Sequence, residues 1–170
     1  MQLDLNYGRD CYSLELPDDW DVTVIRKPAM PLEPDQAGAV RKALGEPVGC
    51  GPLVQEARGR KSACILICDI TRPVPNGLLL PEIVRQLLDG GMKADGITVL
   101  VATGLHRPNE GAELEELLGD PWVLKTVRVV NHFARDDEAH VDLGRTPRGT
   151  PVKLDRRFVE ADLKIATGLV

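Results

Sequence analysis

Three short turns carry the residue types that could do chemistry. The first is Asp69-Ile70-Thr71-Arg72-Pro73-Val74-Pro75. It places an acid, a hydroxyl and a guanidinium close together. A guanidinium is a planar fork that matches a carboxylate or phosphate through two parallel bonds. Asp69 could hold that fork, hold a ligand hydroxyl, or with Arg72 do no more than pin its own loop. Pro73 and Pro75 stiffen the turn, because each fixes φ and removes a backbone donor.

The second turn is Thr103-Gly104-Leu105-His106-Arg107-Pro108. Histidine gives or takes a proton near neutral pH, so His106 is a candidate acid/base group. The bland alternative is a ring bonded to backbone. Thr103 and Gly104 can present backbone amides to an anion at a helix start. The third turn is Asn131-His132-Phe133-Ala134-Arg135-Asp136, followed by Asp137. His132, Asp136 and Asp137 have a spacing that could suit a metal, whereas Asn131 and the aspartates also suit caps and turns. His140 reads as solvent-facing.

Each turn follows an apolar stretch of strand length: residues 62–68, 97–102 and 127–130. Nearly continuous apolar residues over that length predict strands covered on both faces. Between them the pattern turns helical. Leu78, Leu79, Ile83, Leu87 and Leu88 predict a helix over 78–88, stopped by Gly90-Gly91. Residues 110–118 predict another, ended by Gly119. Strands alternating with helices imply a parallel sheet with helices on its faces, an αβα sandwich of Rossmann-like type. In such sheets ligands bind at the turns beyond the carboxyl ends of the strands. The three turns would then line one edge.

The flanks read differently. Residues 2–7 and 11–16 alternate around a turn at 8–10, which predicts an N-terminal β-hairpin. Residues 21–26 are a third strand candidate, rich in β-branched side chains. The proline-bearing stretch 27–34 is a linker, and Asp35 caps a short helix running through Val40 to Leu44. Residues 53–59 read as one or two helical turns. After residue 140 come three short strand candidates, 141–144, 151–154 and 163–166, and a helical turn at 158–161.

Composition bounds the rest. The chain has 170 residues, 43% hydrophobic and 28% charged, with 21 basic against 26 acidic residues and a net charge of −5. That predicts a single α/β domain over 1–170. There is no basic cluster interleaved with aromatics, so nucleic acid is not the expected partner. No apolar run approaches the ~20 residues of a membrane span, and the N-terminus lacks a signal pattern. The expected compartment is cytoplasmic. Cys64 and Cys68 lie about 13 Å apart on one strand, beyond the ~7 Å reach of a disulfide, and read as reduced core residues. No GxxxxGK[ST], GxGxxG or GxSxG motif is present.

Ala102-Thr103-Gly104-Leu105 is echoed by Ala166-Thr167-Gly168-Leu169. The second copy follows a strand and has no helix after it. The expectation is a chain truncated at its C-terminus.

These motifs together resemble the nickel-dependent lactate racemase family. The resemblance runs through the loop at 47–53, the Asp69–Pro75 and Ala102–Pro108 turns and Asn131-His132. It continues in Asp142-Leu143-Gly144, Gly149-Thr150-Pro151-Val152 and Glu160-Ala161-Asp162-Leu163-Lys164-Ile165. Single matches are modest; their shared order is specific. The resemblance implies the N-terminal lobe of a two-lobed enzyme that interconverts stereoisomers of lactate or a related 2-hydroxy acid. It implies a nickel pincer nucleotide tethered to a lysine, a hydride that leaves the α-carbon and returns on the other face, and a 2-keto acid between. Arg72 would bind the substrate carboxylate. His106 would be one of two histidines exchanging the hydroxyl proton. Asp69, with Thr71, Thr103 and Gly104, would contact substrate or cofactor.

The second histidine, the tether lysine in a Gly-Gly-x-Lys setting and the nickel-binding histidine are expected beyond residue 170, in a missing C-terminal part. No metal ligand is assigned in this chain. Gly90-Gly91-Met92-Lys93 imitates the tether but stands too early in the motif order, and reads as a helix C-cap plus a surface lysine. The chain alone is therefore expected to be inactive. The alternative is a non-catalytic α/β module that binds a small carboxylate or phosphate on the same edge.

Overall fold

The structure is a computed structural model and describes residues 1–169. The backbone gathers into two compact units, Met1–Leu32 and Glu33–Val170.

The first unit is a hairpin of β1 (Gln2–Tyr7) and β2 (Asp10–Glu15), paired antiparallel. Tyr7 pairs with Asp10, leaving Gly8 and Arg9 as a two-residue loop. Gly8 takes φ +61 and, among the described residues, no non-glycine residue has positive φ, the pattern of a type II′ turn that matches strand twist. Residues 21–26 form no strand, contrary to the sequence expectation. β-branched side chains make extended backbone favourable, yet a strand also needs a ladder partner, and this stretch has none.

The second unit is the α/β body. It runs α1 (Gln36–Gly45), α2 (Leu53–Glu56), β3 (Ala63–Cys68), α3 (Asn76–Asp89), β4 (Ile97–Ala102), α4 (Gly111–Leu118), α5 (Pro121–Thr126) and β5 (Arg128–Asn131). It continues with β6 (His140–Arg145), β7 (Pro151–Asp155), α6 (Arg156–Glu160) and β8 (Leu163–Ala166). Asp35 caps α1 by accepting from the Gly38 amide at 2.8 Å. The sequence reading missed α5. Its signal was the pair Asp120-Pro121: Asp120 accepts from the Trp122 amide and Pro121 opens the first turn, where its missing N–H costs nothing.

Four strands form a parallel sheet in the order β5-β4-β3-β8. Alternation sends Ala63, Ile65, Ile67, Ile97, Val99 and Val101 to one face. There they pack against Leu80, Ile83, Val84 and Leu87 of α3 and against Leu118 and Val123. The α3 residues recur at helical spacing, which turns one stripe inward. Cys64, Leu66, Leu100 and Val130 point to the other face, where Phe158 and Ala161 cover part of it. Burial on both faces is why β3 and β4 read as unbroken apolar runs. All four cysteines are free.

At the head of α3, Gly77 meets the backbone of α4's C-cap. A Cβ there would lie 2.9 Å from the Gly119 carbonyl oxygen. Asn76, fully buried, donates to the Leu117 carbonyl at 3.0 Å. β6 and β7 form a separate antiparallel ribbon, irregular between Asp142 and Arg145. Among the described residues, no helix is long and apolar enough to cross a membrane.

Candidate functional site

Successive strands step from β3 to β4 to β5 on one side, whereas β8 joins β3 on the other. The strand order therefore switches direction at β3, and the turn beyond β3 stands at the position where open α/β sheets commonly bind ligands. Asp69 is the first residue of that turn and is 5% exposed. Its Oδ1 accepts from the Thr71 amide at 3.2 Å and the Thr71 hydroxyl at 2.6 Å. The Arg72 amide donates to the Asp69 carbonyl, and the Val74 amide to the Arg72 carbonyl. Val74 and Asn76 are buried anchors, so the loop is pinned on either side of an exposed Arg72.

The Arg72 guanidinium has no hydrogen-bond or ion-pair partner among the described residues. Asp69 does not hold that fork. Its Oδ2 instead meets Nδ1 of His106 at 2.5 Å, across 37 residues of sequence. Burial alone would raise the Asp69 pKa. Hydrogen bonds from Thr71 and His106 outweigh it and hold the carboxyl below its ordinary value. A carboxylate only accepts, so Nδ1 of His106 carries a proton and Nε2 is left to act. His106 is itself 60% exposed, which leaves that nitrogen reachable.

His106 rides on a tight turn: its amide donates to the Thr103 carbonyl at 2.9 Å, and Gly104 takes φ +58 with open space around it. Thr103 is buried, and its hydroxyl donates to the His132 carbonyl. Gly104 and Leu105 leave their amides unpartnered among the described residues. A surface depression of about 380 Å³ lies here, lined by Gly104, Leu105, His106, Arg107, Phe133 and Arg135 among others. Arg107 forks onto Glu113 through bonds of 2.6 and 2.7 Å, which pulls the Glu113 carboxyl down to about 2.

Asn109 ties the turns together, a role the sequence reading missed. It is 2% exposed. Its Oδ1 accepts from the Ile70 amide at 3.3 Å and its Nδ2 donates to Glu113 at 2.7 Å. Its backbone brackets the Asn131 amide group, with bonds of 3.0 and 2.9 Å. One residue thus ties the ends of β3 and β5 to the start of α4. The available signal was Pro108-Asn109, a turn pair before a helix.

The third turn does not gather a metal set. His132 bonds Asp155, Asp136 caps the 3-10 turn at 137–139 through the Glu138 and Ala139 amides, and Asp137 pairs with Lys153. No cluster of three or more metal-type side chains occurs among the described residues. His140 is half-buried rather than solvent-facing, its ring set edge-on to His132 at 4.9 Å. Asp155 ends β7. It caps α6 and also holds His132 at 3.0 Å, with Arg157 bonded to both its oxygens. Burial would raise the Asp155 pKa, but the Arg157 and His132 hydrogen bonds bring it to about 2. Gly90 is the C-cap of α3, as expected. Lys93 precedes β4, at the sheet edge opposite His106.

The switch point of this parallel sheet thus carries an unpaired guanidinium and a carboxylate-held imidazole. The chain belongs to the lactate racemase N-terminal domain family, whose profile matches residues 7–170. It is 35% identical over 131 residues to a lactate racemase from Lactiplantibacillus plantarum, covering 77% of this chain and 30% of that protein. It is 29% identical over 170 residues to a lactate racemase from Thermoanaerobacterium thermosaccharolyticum, covering 99% and 39%. The lactate racemase apoprotein structure from the latter organism superposes with a TM-score of 0.76 at 27% identity, over 98% of this chain and 38% of that one. A Thermotoga maritima protein at 24% identity, with a TM-score of 0.61 over 80% and 34% of the two chains, shares the fold. The chain spans 30% and 39% of the two curated relatives.

Proposed function

We propose that this chain is the N-terminal part of a racemase or epimerase of lactate or a related 2-hydroxy acid, dependent on a nickel pincer nucleotide. The observation that carries the reading is the Asp69–His106 pair beside the unpaired Arg72. The Arg72 fork takes the substrate carboxylate. His106 Nε2 takes the proton of the 2-hydroxyl, and Asp69 stabilises the resulting imidazolium while fixing the ring. In the reverse direction the same nitrogen gives the proton back, and a second base outside these residues exchanges the hydroxyl proton of the opposite enantiomer.

The chain's own residues fit only part of the cofactor. No three-ligand metal set occurs among the described residues, so nickel ligation is left to the remainder of the protein. The unpartnered amides of Gly104 and Leu105 suit an anionic group such as the nucleotide's phosphate. When bound, the cofactor supplies the hydride acceptor for the substrate's α-carbon.

The test is a racemisation assay of the full-length, cofactor-loaded protein across D- and L-2-hydroxy acids. Arg72→Ala should raise KM steeply. His106→Ala should lower kcat by about 10²–10⁴-fold. Inactivity of the unmodified enzyme on every acid, or full activity of both variants, would refute the reading. The isolated chain, given the same cofactor, should show no turnover.

A further inference from the structure

A second histidine–carboxylate pair lies on the other face of the sheet and takes no part in the reaction above. His132 is 17% exposed at its side chain and its Nδ1 meets Asp155 at 3.0 Å. The ring is also fixed by the edge contact from His140, and its backbone by the Thr103 hydroxyl. Asp155, an ionised acceptor, requires the proton on Nδ1. Nε2 of His132 has no partner among the described residues.

His132 opens onto a cavity of about 200 Å³ whose other walls include Leu66, Leu100, Ala102, Leu154 and Phe158. An apolar cavity with one positioned polar group is the ordinary form of a small-molecule site. The charges nearby are already matched. Asp155 and Lys153 also line the cavity, the first gripped by Arg157 and the second paired with Asp137. Neither an anion nor a cation finds an unmatched charge there. The volume exceeds the ~150 Å³ that accommodates benzene. Phe158 adds a ring for an aromatic body to pack on.

We propose that this cavity binds a small, uncharged, ring-shaped molecule carrying one O–H or N–H donor, which is given to His132 Nε2. The site is separate from the Arg72/His106 edge, and its existence does not depend on the racemase reading.

The test is a phenol titration of the full chain, followed by long-range ¹H–¹⁵N NMR of the imidazoles, with His132 assigned through His132→Gln. Phenol should move the His132 Nε2 resonance saturably, with a Kd of about millimolar, and leave His106 in place. Toluene, which has the ring but no donor, should bind roughly three- to tenfold more weakly. Leu100→Phe and Ala102→Leu should each abolish the shift by filling the cavity. Ala102 is exposed, so its variant leaves the core intact even if Leu100→Phe fails to fold. No movement of His132 at the solubility limit of phenol, movement of His106 alone, or an undiminished shift in Ala102→Leu would each overturn the proposal. Equal binding of toluene would overturn the donor bond to Nε2.

Discussion

The contact between Asp69 and His106 does two things at once. It turns the ring, and it decides which nitrogen carries the proton. Asp69→Asn keeps the shape but offers an amide that can donate or accept, so the tautomer is no longer imposed. The expected outcome in the full-length enzyme is a kcat loss of about 10²-fold or more. The accompanying sign is a changed His106 tautomer in ¹⁵N spectra; an unchanged spectrum would remove Asp69 from this role. Asp155 has a different consequence. Its folded-state value of about 2 lies below the ordinary 3.8. A depressed carboxylate contributes stability in full above its unfolded value, and that contribution is lost as pH falls through the folded one. Stability from the Asp155 cluster should therefore hold above about pH 4 and fade toward pH 2. Urea unfolding across that window should show a shallower acid arm in Asp155→Asn, and an identical arm would argue against it. The types at Arg72, Asp69 and His106 were legible in sequence because strand-end turns are where such groups act. Their pairing was not. Asp69 has Arg72 three residues away and His106 thirty-seven away, and only the folded sheet makes the distant one the partner.

Elements position these residues through backbone closeness as much as through packing. Gly77 and Gly119 let the head of α3 touch the end of α4. Gly77→Ala would push a methyl onto backbone that cannot rotate aside. It should cost about 1–3 kcal/mol in urea denaturation; a neutral result would mean that α4 moves freely. Asn109 works between elements. Asn109→Ala strips the acceptor from the Ile70 amide and should raise hydrogen exchange there by roughly ten- to a hundredfold, with the α3 core amides unaffected. Exchange unchanged at Ile70 would remove Asn109 as the tie. Most strands and helices could be read beforehand, since buried parallel strands and amphipathic helices leave strong periodic patterns. The six-residue α5 is too short to show a period, and residues 21–26 show a strand's composition without a strand's neighbour.

At the scale of the molecule, neighbouring strands are assembled from very different distances along the chain. β3 and β4 are joined through α3 and one short 3-10 turn, whereas Ser62 bonds Asp162 across 100 residues. Periodicity could announce β8 as a strand but could not say that it would lie beside β3. A nascent chain emerges with β3 lacking its neighbour until β8 has been synthesised. For that interval the Ala63–Leu66 edge has open amides and carbonyls, the feature that lets unfinished sheets pair with the wrong chain. Long-range closure of this kind also slows folding. Among the four described strands of this sheet β8 is the last to be synthesised, so until then the Asp69 turn stands beside an unpaired edge.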